Sequence, residues 1–315
     1  RTDTESSGFG DGETPITVDN EYTDYLPSAN LAWELTEDFI VRFGASRTMT
    51  RPSQSSLAPS RGYSDVNLSV DGGNPLLLPQ RSNNIDLAFE WYFAAESAVS
   101  LAFFRKDIDS LIETSQEEGT LSAADREAVA RIYPSQPALL APGVIWTFDQ
   151  PLNLDGTDVE GFEIAYQQPF TFLPSFLSNL GFLANYTYVS SETTFEFEDQ
   201  TITAPLNGLS EDSYNATLYY EDDRWGARLS VNDRSDYTTS VPGGNGNLTE
   251  STSGLPHYDF SSFYNLTDNI VLTLEVINLT DEAERLFTSG DGDLDLVREY
   301  NKTGREYFLG ARVSF

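Results

Sequence analysis

Three aspartates at two-residue spacing, Asp291, Asp293 and Asp295, sit in "SGDGDLDLVRE" at residues 289–299. Alternate carboxylates have the spacing of an opening calcium loop, where a hard cation gathers several oxygens from a short stretch of chain. Leu296 stands where that loop needs its turn glycine, and the glutamate that should close it is out of register. The stretch therefore reads first as a solvated acidic loop and second as a metal site. Another grouping is Trp146 followed by Asp149, Gln150 and Asn153. An indole face beside carboxyl and amide groups suits a sugar ring with its hydroxyl edge. Tyr63, Tyr237 and Phe287 are further rings in polar, Gly- and Ser-rich surroundings, as are Tyr133, Phe148, Phe195, Phe197 and Tyr300. The competing reading is that these rings pack the loops onto one another.

Catalysis finds little material. The single histidine, His257, follows Pro256 at the start of an expected strand, and no G-x-S-x-G, H-E-x-x-H or phosphate loop occurs. The expectation is a protein that is not an enzyme and needs no cofactor. With 18 basic against 50 acidic residues the net charge is −32. Nucleic acid is excluded as a partner, since phosphate tracking needs clustered Lys and Arg. The acidity also argues against anchoring on an anionic cytoplasmic leaflet. No cysteine is present, and no apolar run is long enough for a membrane helix. Aromatics at 13% are high beside a modest 39% of hydrophobic residues, a balance that suits rings placed at a membrane–water boundary.

The elements that must carry these residues are strands. "SAADREAVARIY" at 122–133 is the one helical segment, with Ser122 as its cap. Alternating apolar and polar residues mark about eleven strands, near 22–34, 39–50, 81–93, 97–108, 158–169, 179–190, 211–221, 224–236, 257–266, 270–279 and 305–315. Every second connection is short, such as "TED" at 36–38 or "TDN" at 267–269, and the others are long. That parity is the topology of an outer-membrane barrel, with short periplasmic turns and long outside loops. Rings bracket the short turns: Trp33 and Phe39, Trp91 to Phe93, Phe170 to Phe176, Tyr219 to Trp225, Phe263 and Tyr264. They read as an interface girdle. The period of two then sends Ile85, Leu87, Phe89, Trp91 and Phe93 to lipid, and Arg42, Glu90, Glu163, Arg228 and Glu275 to the lumen. The last strand puts Tyr307, Leu309, Ala311, Val313 and the final Phe315 on one face, a signal of the kind read by the barrel-assembly machinery.

Several stretches resemble the C-terminal half of a TonB-dependent receptor, from about residue 22 onward. They include "RTMTRPS" (47–53), "GNPLLLPQRSNN" (73–84), "VEGFEIAYQQPF" (159–170), "INLTDEAERLF" (277–287) and "YNKTGREYFLGARVSF" (300–315). The resemblance implies an all-β, transmembrane antiparallel barrel of 22 strands, closed by an N-terminal plug. About eleven strands are in view, so residues 1–315 are expected to be the C-terminal part of the barrel domain, without the plug. Residues 1–21 are expected to be an extracellular loop, and 22–315 the strands. An open sheet of this kind would leave edges in lipid, so the first half of the barrel must supply partner strands.

The resemblance further implies an outer membrane of a Gram-negative bacterium and uptake powered through TonB. A bulky nutrient would bind at the extracellular mouth. Acidic loops repel anionic ligands, which ranks an oligosaccharide first and a ferric siderophore or other metal chelate second. A passive porin or a surface adhesion barrel is the alternative of another class. The candidate ligand contacts are Trp146, Asp149, Gln150, Tyr63, Tyr237 and Phe287.

Overall fold

The computed structural model describes residues 1–9, 15–197, 200–244, 247–289 and 295–315. A hairpin of β1 (Thr2–Phe9) and β2 (Pro15–Tyr22) precedes β3 (Ser28–Thr36) and β4 (Phe39–Thr50). A small hairpin follows, β5 (Arg61–Ser64) and β6 (Ser69–Gly72), and then β7 (Gln80–Ala94) and the long β8 (Ser97–Gly119). After α1 (Ala123–Ile132) come β9 (Trp146–Pro169) and β10 (Leu180–Ser191), then the hairpin β11 (Thr193–Phe197) and β12 (Gln200–Ala204). The chain continues through β13 (Asp212–Glu221), β14 (Trp225–Arg234), β15 (Tyr237–Ser240), β16 (Thr249–Thr252) and β17 (His257–Thr267). It closes with β18 (Ile270–Ile277), β19 (Glu284–Ser289), β20 (Asp295–Asn301) and β21 (Glu306–Val313).

Eleven of these strands form one antiparallel path, β21-β18-β17-β14-β13-β10-β9-β8-β7-β4-β3, and they are the eleven segments expected from alternation. The first starts at Ser28 rather than residue 22, because the chain between β2 and β3 carries Pro27 before the ladder begins. Register stacks the alternating residues into rows. Leu31, Phe43, Leu87, Phe103, Phe162 and Tyr188 are successive partners across six strands. Leu218, Leu229, Phe260, Val276 and Tyr307 form a second row. Many large apolar residues of this face stand open, among them Leu31, Phe103, Leu229 and Leu309. In water such a face would be a severe liability, and in a bilayer it is the solvated one.

The opposite face is polar. Tyr219, Arg228, Ser261 and Glu275 are partners in one of its rows. Arg42 Nε donates to Glu90 at 2.7 Å and the Tyr92 hydroxyl donates to the same carboxylate at 2.9 Å, so all three side chains share this side. Glycines let rings lie across it: a Cβ at Gly226 would stand 2.3 Å from the Phe263 ring, and one at Gly181 2.2 Å from that of Tyr219. Ring over cross-strand glycine allows tight packing where the sheet must curve.

At the short-turn end the exposed rings are Trp33, Trp91, Tyr92, Phe172, Phe176, Trp225 and Tyr264 among others. Tyr220 stacks on Trp225 with centroids 4.4 Å apart. The turns are closed by local chemistry: Asp222 accepts from the backbone N–H groups of Arg224 and Trp225. Asn265 and Asn269 clamp the neighbouring turns through Asp223 O and Ser314 O.

The expected outside loops carry a good deal of strand. Residues 1–21, read as a loop, hold most of the β1–β2 hairpin, paired from Thr2↔Tyr22 to Phe9↔Pro15. β8 and β9 run far past their expected limits and stay paired to Gly119↔Trp146. β15, β16, β19 and β20 form a four-stranded sheet in the same order as β14, β17, β18 and β21, which they prolong. Each backbone group leaving the membrane needs a partner, and continuing the ladder supplies one without a new fold. Turn-forming Gly, Asp and Ser dominate these stretches and mask the weak two-residue period.

Candidate functional site

At the far end of the β8–β9 hairpin a compact cap is assembled. Ser122 and Asp125 make a capping box that starts α1, and Arg131 sits in its last turn. Val129 of that helix, Leu121, Val70 and Trp146 form a buried cluster, covered by Tyr133, Leu140 and Phe148 among others. Trp146 is only 1% exposed. The expected stacking platform is therefore a core residue, because the helix that follows Gly119 folds back over the hairpin end. Tyr63 is structural as well: its hydroxyl donates to Asp125 at 2.9 Å, beside Arg61 at 2.7 Å. These donors and the Ser122 hydroxyl hold the Asp125 carboxyl below the usual range, although its burial pulls the other way.

Asp149 and Gln150 stand just below this cluster. Gln150 Nε2 donates to Gly73 O, and Asn153 pairs both ways with the backbone of Leu78. Gln150 and Asn153 clip the 73–79 segment to β9. Asp149 is aligned with Asp71 across the parallel β6–β9 contact, and its Oδ1 is buried without a partner. Burial, then repulsion from Asp71, pushes the Asp149 carboxyl up, partly offset by a hydrogen bond from Gln116. A raised carboxyl favours the folded state below the ordinary carboxylate range and loses that contribution as pH rises through the raised value. Docking of the β5–β6 hairpin is thus expected to loosen as pH rises above the ordinary carboxylate range and through the raised value. In Asp149→Asn the part of the pH dependence at Val70 and Asp71 that exceeds the intrinsic chemistry of amide exchange should vanish. Exchange mass spectrometry of both proteins across pH checks this.

The remaining expected contacts lie elsewhere. Arg234 sits 3.7 Å from the Tyr237 ring centroid and donates to Ser210 Oγ and Gly208 O, which fixes the turn before β13. Phe287 is half-buried in the four-stranded sheet, opposite Ser251 and Val297. The six residues are not brought to one place. Asp291 and Asp293 lie outside the described residues. Asp295 opens β20, and the described residues hold no group of three or more potential metal ligands. Phe195 is buried with Ala204 and Val241, so it packs the β11–β12 hairpin onto the wall. In the last strand Tyr307, Leu309, Ala311 and Val313 oppose Val276, Leu274, Leu272 and Ile270 on the apolar face.

What does open towards the lumen mouth is a cleft of about 370 Å³ that sequence reading missed. Thr48, Thr50, Gln80 and Ser82 wall one side with the lumen parity of Arg42 and Glu90; Ile108, Leu111, Ile112 and Glu113 wall another. The turn carrying Leu206 and Asn207 reaches across from β12. Ser191 Oγ, Thr238 O and Arg234 hold that turn in place. "NG" at 207–208, with Gly208 at φ +80°, was the available turn signal.

A family model described as TonB dependent receptor-like, beta-barrel matches residues 1–279. The iron-regulated outer membrane virulence protein of Vibrio cholerae is 24% identical over 295 residues, which covers 92% of this chain and 39% of that protein. A variant of the ferric enterobactin receptor from Pseudomonas aeruginosa, solved with enterobactin, has a TM-score of 0.62 at 19% identity, covering 93% of this chain and 41% of that one. The siderophore receptor PirA from Acinetobacter baumannii gives 0.61 at 17%, with coverage of 93% and 41%. The structural likenesses establish the fold. The chain spans about two fifths of the length of the relatives it matches.

Proposed function

This chain belongs to the TonB-dependent receptor-like β-barrel family of the Gram-negative outer membrane, and on that premise we propose that it is the C-terminal half of an active importer of an iron chelate. The observation that carries this reading is the open eleven-strand sheet, oily outside and polar inside, with upright hairpins at one end. Both edge strands, β3 and β21, pair on one side only among the described residues. A free edge in lipid leaves each exposed N–H and C=O unsatisfied at several kcal/mol. The rest of the barrel is therefore the first partner, and a plug engaging TonB the second. The ligand enters from the hairpin side, is held at the mouth, and crosses the lumen unchanged.

An iron chelate is placed ahead of an oligosaccharide for two reasons. The relatives are named for iron and siderophores, and the sugar platform at Trp146 is buried. The net charge of −32 supports a neutral or cationic chelate over a polyanionic one. A strain lacking the full-length gene should lose growth on one or more iron chelates under iron limitation. It should grow normally on single oligosaccharides as sole carbon source. The opposite pattern would restore the sugar reading.

A further inference from the structure

We propose that the cleft at the lumen mouth is a subsite for a protonated amine, set by Glu113. This deepens the import reading above and rests on it for the identity of the mouth. Glu113 lines the cleft, is half-buried, and makes no hydrogen bond or ion pair among the described residues. Burial alone pushes its carboxyl up, which is the state of a carboxylate lacking a counter-charge. An unmet acceptor in an open cleft leaves room for a ligand that brings a charged donor.

The surrounding charge agrees. Arg81 is the one basic side chain of the wall, and Asp24 neutralises it at 2.6 Å, with both groups largely buried. Among the described residues of the wall no free cation competes for Glu113. Ile108, Leu111, Ile112 and Leu206 supply an apolar floor for a methylene chain. An alkylammonium group satisfies both features: charge and donors for Glu113, and a stem for the aliphatic wall.

The test uses the full-length receptor in lipid nanodiscs and calorimetric titration at neutral pH. The probes are pentylammonium, 1-pentanol and valerate. Pentylammonium should bind, with valerate undetectable and pentanol weaker. Glu113→Gln, which keeps the shape, should weaken the amine about tenfold, the usual worth of a charge-assisted hydrogen bond. An unchanged affinity in Glu113→Gln, no amine binding, or equal binding of valerate would overturn the proposal. Energised chelate uptake that persists in such a case would leave the import reading standing.

Discussion

Replacing Trp146 by alanine is expected to cost the cap about 3–5 kcal/mol, the range for removing a fully buried large aromatic from a packed core. The indole is 1% exposed and touches the cluster that holds α1, the β5–β6 hairpin and the end of β9 in one body. Its loss leaves a cavity under Val129 and Leu121 that a ten-residue helix cannot close by sliding. Amide exchange should rise across α1 and β6 and stay unchanged in β13 and β14. Trp146→Phe should be much milder: the indole Nε1 has no partner, so phenylalanine removes an orphan donor along with some volume. If Trp146→Ala instead kept the cap intact and abolished ligand binding, the packing role would be wrong.

The second large effect concerns the two faces of the sheet. Leu87 lies midway along β7 between Phe43 and Phe103 on the apolar side, and Asp86 beside it faces Gly44 on the polar side. Leu87→Arg is expected to destabilise the barrel by about 2–4 kcal/mol, the midplane cost of an arginine on the lipid face. Asp86→Asn should stay within about 0.5 kcal/mol, as a surface change in a wet lumen. Urea titrations of the full-length receptor refolded into bilayers give both numbers. A neutral Leu87→Arg paired with a damaging Asp86→Asn would mean that the faces are reversed.

Alternation made the eleven strands readable, because each strand meets lipid on one side and water on the other. "IVLTLEV" in β18 illustrates it: Leu272 and Leu274 oppose Ala311 and Leu309 on the oily side, while Thr273 and Glu275 oppose Gly310 and Phe308. The helix at 123–132 was equally legible from its cap. Above the membrane that contrast fades. Both faces of β11, β15 or β20 meet water or other loops, so Thr, Ser and Glu serve on either side and the period disappears. The site suffered most. Trp146 beside Asp149 and Gln150 has the composition of a sugar contact, yet Trp146 is packed into the cap, Gln150 is tied to Gly73 O, and Asp149 is drawn in beside Asp71. Glu113 and Asn207 sit 94 positions apart on different hairpins, and only the fold brings them to one cleft.

Energised import is tested by uptake of a radio-iron chelate by cells that carry or lack the full-length receptor. A chelate that supports growth only in the presence of the gene should accumulate in cells with intact TonB. Accumulation should stop when TonB is deleted or the inner-membrane proton gradient is collapsed. Gene-dependent uptake that continues without TonB and without the gradient would contradict the account and return the barrel to the passive porins.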